Sequence, residues 1–262
     1  MRDLTIKSII KLKRKNRGVK NRVVLDRSGL SKVLVCKSLK TKVKSRVGRN
    51  ETGRITTRHR GGRHQRQLKY IDYTGSISKY SDHLSYVTSE YDCNRSALIS
   101  RVVNKQFKSF YRLGSLNQEL CTTKTSLFEG NVLALKEIRG GSSVYNIDGK
   151  YCRAAGSFGR LLRTEGDVSL VRLSSKVTKW FDSNCTASLG ESSNNLRKLL
   201  KKGKAGCNRW LGHRPVVRGN AKNAVDHPNG GKTRGGSQPK TIWGTQAKWA
   251  SIKRTRARIG RK

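Results

Sequence analysis

Positive charge is segregated along this chain, and that segregation limits how much of it can close into a self-supporting globule. Residues 1–69 carry 23 Lys and Arg against 3 Asp and Glu, and residues 197–262 carry 19 against 1. The 127 residues between them carry 16 against 12. Like charges at the density of the two ends repel one another in a compact state unless a polyanion neutralises them. Nucleic acid supplies that neutralisation: Lys and Arg that meet its phosphates release condensed counterions and gain a strong, salt-dependent affinity. The expectation is a small folded centre between two phosphate-seeking arms, at residues 1–66 and 197–262.

Composition narrows the classes further. With 34% apolar and 6% aromatic residues, the chain cannot bury a core over its whole length, but its middle reads as ordinary globular sequence. No run approaches the ~20 apolar residues that cross a bilayer, so no membrane span is expected. Residues 1–20 lack the apolar segment of a secretory leader, and their charge runs directly into the first arm. Cys36, Cys93, Cys121, Cys152, Cys185 and Cys207 are far apart, with no C-x-x-C pair and no clustered histidines. Such spacing argues against a metal site and leaves no call for a cofactor; buried free thiols in a reducing compartment are the expectation.

The first arm should be largely extended, with Val23-Val24 and Val33-Leu34-Val35 as short edge strands. Beyond it, residues 68–73, 84–91, 97–103 and 107–113 are β-branched or aromatic runs separated by turn formers, which is strand spacing. A second set follows at 131–138, 144–147, 168–173, 177–181 and 185–189. Two small barrels satisfy both sets, because closure removes the exposed edges of short strands. They would occupy residues 67–124 and 125–196, with the break near 122–126. Residues 194–202 predict a helix, from Leu196, Leu199 and Leu200 at helical spacing, a serine cap at 192 or 193, and Gly203 as the stop. After it no apolar period supports a core, and Trp210, Trp243 and Trp249 stand isolated among charges.

Glycine beside arginine suits close contact with a sugar-phosphate chain: the missing Cβ admits the backbone, and guanidinium forks bind phosphate oxygens in pairs. Arg60-Gly61-Gly62-Arg63 and Arg234-Gly235-Gly236 have this character. Trp210, beside Arg209 and close to Arg214, could stack on an unpaired base or pack internally. His59 and His64 fit neither a helical nor a strand-face ligand pair and fall to RNA contact or solvent. Gly230-Gly231-Lys232-Thr233 imitates the end of a phosphate-binding loop, but Asp226 stands where the first glycine belongs. Asp226-His227 could orient an imidazole for general base work, yet Thr233 and Ser237, its only local hydroxyls, lie on irregular sequence. No catalytic residue is assigned, and the chain is read as a non-enzyme.

Several segments together resemble the large-subunit ribosomal protein L-two family. Residues 53–66 are similar to the family's GRITTRHxGGGHK, residues 90–97 to EYDPNRSA, 153–156 to RSAG and 185–194 to CRATLGEVGN. Residues 203–231 are similar to GKAGxxRWxGxRPxVRGxAMNPVDHPHGG, the most specific of these, and 241–244 to TPWG. Cys93, Ala224 and Ile242 stand at positions where the family usually has proline, Lys222 replaces its methionine, and Asn229 replaces the second histidine of DHPHGG. His227, the first histidine of that motif, is retained, and the resemblance attaches to it the question of a role in peptidyl transfer. The resemblance implies a mainly β fold, an OB-like barrel followed by an SH3-like barrel, with both long basic arms threaded into large-subunit rRNA. It also implies a position near the peptidyl transferase centre, neighbouring large-subunit proteins, and the small subunit at the interface.

The RNA-facing set is then Arg54, Arg58, His59, Arg60, Arg63, Arg66, Arg95, Arg209, Trp210, Arg214, Arg218, His227 and Arg234, in a structural constituent whose chemistry belongs to RNA. The rival reading is a general architectural nucleic-acid binder, which charge alone does not separate from it. Three prolines, richness in Lys, Ser and Asn, and the substituted loop positions point to a mitochondrial ribosome, with the bacterial cytoplasm or a plastid as alternatives.

Overall fold

The computed structural model describes residues 9–12, 19, 22–28, 30–31, 37–75, 84–104, 108–116, 129–232 and 238–247. The strand expected at 33–35, the break expected at 122–126, Arg234, Trp249, Cys36 and Cys121 lie outside them. Two compact units divide the chain: Met1–Ser45 with Arg63–Leu211, and Arg46–Gly62 with Gly212–Lys262.

The first unit is built almost wholly of short antiparallel strands. Near its start, β1 (Ile9–Lys11) pairs with β2 (Val23–Leu25), and β3 (Lys40–Val43) pairs with β4 (Arg66–Lys69). A meander of β5 (Leu84–Glu90), β6 (Ile99–Asn104) and β7 (Ser109–Leu113) follows. Ile99, Val102, Phe110, Tyr111 and Leu113 are buried in it. The remaining strands are β8 (Val132–Ala134), β9 (Ser143–Tyr145), β10 (Gly159–Glu165), β11 (Val168–Arg172), β12 (Thr178–Asp182) and β13 (Thr186–Leu189). They form one six-stranded sheet in the order β12-β11-β10-β9-β13-β8. Its core gathers Leu135, Ile138, Val144, Ile147, Leu161, Val171, Phe181, Ala187 and Leu189. The architecture is mainly β and consistent with an OB-like barrel followed by an SH3-like one.

Polar groups join the two strand systems. Ser193 accepts the Leu98 N–H on its Oγ at 3.0 Å, and its own N–H reaches the Gly114 carbonyl at 2.9 Å. The Asn194 amide donates to the Ser96 carbonyl at 2.7 Å, and Asn146 donates to that of Tyr73 at 2.7 Å. Buried polar groups hold position only when paired, so Ser193 and Asn194, both buried, fix the segment that leaves the second sheet.

That pairing explains the first departure from expectation. The helix expected over 194–202 is one 3₁₀ stretch, Asn195–Leu199, begun by Asn194 in the left-handed region at φ 66° with no side-chain cap. The Asn194 side chain is engaged with Ser96, and Lys201 exchanges backbone bonds with Val23 at 2.9 and 3.3 Å. The bridge draws the chain out of helical conformation before a second turn can form. β1 and β3 in the basic arm, β10 and helix α1 (Gly206–Trp210) were not expected. β10 carries a bulge between Leu161 and Arg163 that breaks the period-two pattern, and α1 buries only Cys207. Residues 131–138, expected as a strand, divide into β8 and a 3₁₀ turn over Leu135–Glu137. The expectation of buried thiols holds for Cys207 and fails for Cys93, which is exposed; burial raises the thiol pKa of half-buried Cys152 and Cys185.

The second unit joins segments far apart in sequence, and among the described residues it has no apolar core. Gly61 N–H donates to the Gly212 carbonyl at 3.0 Å, and Arg214 N–H to that of His59 at 3.0 Å, around an Arg60–His213 bridge. Backbone pairing and close approach hold it together. A Cβ on Gly230 would run into the Asn223 and Lys222 carbonyls, and one on Gly48 into that of Thr57.

Candidate nucleic-acid interface

In the first unit the register of one ladder sets a cationic face. Lys40 lies opposite Lys69 and Lys42 opposite Gln67, and alternation along a strand puts all four on the same side. Like charges directly opposite one another destabilise a ladder. Lys69 is relieved from within: its buried Nζ donates to Glu90 Oε2 at 2.7 Å and to the Tyr91 carbonyl at 3.3 Å, and the Tyr111 hydroxyl donates to the same carboxylate at 3.1 Å. Lys42 keeps its charge at the surface. The two lysines, with His64, Arg66, Gln67 and Tyr91, line a groove of about 460 Å³.

Two arginines of this unit are turned toward the protein. Arg66 donates to the carbonyls of Cys93 at 3.2 Å and Leu211 at 3.4 Å. Arg95 binds Asp92 Oδ2 through Nε at 2.6 Å, donates to the Tyr73 hydroxyl and lies 5.7 Å from that ring's centre. Arg63 is half-buried. Arg209 and Trp210 are exposed on α1, with Lys204 Nζ 4.7 Å from the centre of the indole.

The second unit collects Arg54, Arg58, His59, Arg60, Arg214, Arg218 and His227. Its described residues carry ten Lys and Arg against Glu51 and Asp226. Arg54, Arg58, Arg60, Arg214 and Arg218 are all exposed. His59, in the left-handed region at φ 59°, places Nδ1 3.0 Å from the Pro215 carbonyl, and Arg60 Nη1 lies 3.0 Å from His213 Nδ1. Both contacts tie the glycine-rich segment to the extended stretch that follows residue 212.

His227 is unlike the rest of the set. It is 9% exposed, its Nδ1 accepts the Asn229 N–H at 3.0 Å, and its ring fills the space a Cβ on Gly219 would need. Accepting at Nδ1 assigns the proton of the neutral ring to Nε2. The ring therefore offers a donor and no free lone pair. Among the described residues there is no group of three His, Cys, Asp or Glu able to hold a metal ion, and no helix long and apolar enough to cross a membrane.

Sequence reasoning passed over Lys40 and Lys42, whose alternation matters only once the register is known. It noted Asn229 only as a substitution in the DHPHGG motif and gave it no role, whereas its side chain clamps a neighbouring hairpin through bonds to Gln238 and Lys240. Trp243 was noted as isolated and left without a role.

Short antiparallel strands in two barrel-like systems, a lysine-faced groove and a cationic backbone clasp define a class: a β-rich nucleic-acid-binding protein. The comparisons narrow it. Residues 36–116 match the family described as Ribosomal Proteins L2, RNA binding N-terminal domain, and residues 128–246 match Ribosomal Proteins L2, C-terminal domain. The chain belongs to the ribosomal L2 family. It is similar to the large ribosomal subunit protein uL2 of Wolbachia pipientis wMel, at 39% identity over 247 residues, covering 88% of this chain and 89% of the relative. The protein of the same description from Buchnera aphidicola subsp. Schizaphis graminum is 38% identical over 221 residues, covering 77% and 78%.

Proposed function

We propose that this chain is a structural constituent of the large ribosomal subunit that binds large-subunit rRNA and supports subunit assembly and association, with the chemistry of translation left to RNA. The observation that carries the reading is the second unit, whose described residues bring ten cationic side chains to a backbone clasp and contribute no apolar core. Such a unit gains most when phosphates occupy its surface. In this reading Arg54, Arg58, His59, Arg60, Arg214 and Arg218 meet RNA directly in that unit, and Arg63, Arg209 and Trp210 do so in the other. Arg66 and Arg95 serve from within, holding the groove and the 92–95 turn in shape. Arg234 joins the set on its Arg-Gly-Gly sequence alone.

His227 acts as a spacer between Gly219 and Asn229 and not as a base. A position near the peptidyl transferase centre, contacts with neighbouring ribosomal proteins and proximity to the small subunit rest on the resemblance of residues 203–231 to the family's most specific segment. The relatives compared are bacterial proteins, which supports a ribosome of bacterial type; the scarcity of proline and the substituted loop positions support the finer assignment to a mitochondrial one.

Co-sedimentation tests the reading. The wild-type chain travels with purified large subunits through a sucrose gradient at moderate salt, and Arg209→Ala combined with Arg214→Ala shifts part of it to the top. A chain that never enters the large-subunit peak contradicts the proposal.

A further inference from the structure

Trp243 is the least expected surface feature of the second unit: an indole 76% exposed. Its surroundings are built. Residues 238–247 fold back on themselves, with the Thr241 N–H donating to the Thr245 carbonyl at 2.7 Å and the Gly244 N–H to that of Thr241 at 3.0 Å. Gly244, at φ 85°, takes the left-handed conformation that closes the turn. Trp243 therefore sits at the tip of a tight hairpin. The base of the hairpin is clamped by buried Asn229, whose Oδ1 accepts the Lys240 N–H and whose Nδ2 donates to the Gln238 carbonyl, both at 3.0 Å. Asn229 is itself fixed through its backbone N–H to His227. At the tip the Arg58 guanidinium lies 5.0 Å from the centre of the indole.

We infer that Trp243, backed by Arg58, is a stacking platform for the base of one unpaired nucleotide of the bound RNA. An indole carries a large apolar surface and a π face, and leaving both in water at the end of a clamped hairpin gains nothing within the chain. Every nucleobase offers a complementary π face, and stacking is strongest for bases not already paired. A guanidinium beside the ring strengthens the platform and bonds to a phosphate oxygen at the same time. The occupant is an RNA base and not an apolar peptide because the described residues of the unit around the hairpin carry ten basic groups against two acidic ones. The inference rests on the RNA-binding reading above and adds to it a single-stranded element in the target.

The test compares the full chain and its variants for binding to purified large-subunit rRNA across a salt series. Trp243→Leu weakens binding ~5- to 100-fold, as loss of one stacked base does. The slope of log affinity against log salt stays unchanged, because that slope counts phosphates. Trp243→Phe, which keeps an aromatic face, restores most of the loss. Wild-type affinity in Trp243→Leu, a loss that Trp243→Phe does not restore, or a loss accompanied by a flatter salt slope overturns the inference, the last because it reports a collapsed cationic surface. These results leave the RNA-binding reading standing; a wild-type chain that does not bind rRNA overturns both.

Discussion

His227 shows how burial and one hydrogen bond settle what a motif leaves open. An imidazole acting as general base must present a lone pair to the proton it removes, and such groups typically contribute ~10²- to 10⁴-fold to a rate. Here the available lone pair faces the Asn229 N–H, and the ring packs on Gly219. Ribosomes assembled with His227→Gln are therefore expected to form peptide bonds at the wild-type rate, measured by single-turnover transfer to puromycin; a loss on the scale of a general base would give the residue a chemical role. Sequence alone held the arginines and glycines of this surface, because their chemistry is local. It did not hold the inward turn of Arg95, since Asp92 three residues earlier and Tyr73 twenty-two residues earlier become partners only after the chain folds. The buried Lys69–Glu90 pair was equally hidden: a basic residue just past a basic arm gives no sign that its neighbour across the fold is a carboxylate.

Among the elements, legibility followed the strength of the local period. β7 and β11 are short runs whose buried positions include Tyr111, Leu113 and Val171, and such runs between turn formers read as strands directly. β10 did not, because its bulge shifts the register and only Gly159 and Leu161 face inward. The expected helix over 194–202 yielded to tertiary pairing with Val23, which no helical spacing reveals. The hairpin over 238–247 was invisible for a different reason: its clamp is a single amide side chain, Asn229, ten or so residues away. Replacing it by alanine removes two part-buried hydrogen bonds, to the Lys240 N–H and the Gln238 carbonyl, each a net loss of about 1 kcal/mol. Asn229→Ala is expected to speed hydrogen exchange at the Lys240 amide at least ~5-fold, while amides in β11 exchange as before. Unchanged protection at Lys240 would remove the clamp from the account.

At the scale of the whole molecule, charge and fold divide the work. The near-neutral middle of the chain forms a β-rich body with an ordinary apolar core. The basic segments 46–62 and 212–247 add a compact unit whose cohesion comes from backbone bonds and glycine contacts. Charge segregation was plain in the sequence. That two segments 150 residues apart clasp each other was not, because nothing apolar advertises the pairing. The central claim is that these cationic groups exist to meet the phosphates of folded RNA. Its most direct test is the affinity of the wild-type chain for large-subunit rRNA between about 50 and 200 mM salt, with duplex DNA as competitor. The account predicts a fall of ~10³-fold or more over that range, as six or more phosphate contacts require, with rRNA held in the presence of excess duplex. A salt-independent affinity, or displacement by equal duplex DNA, would contradict it.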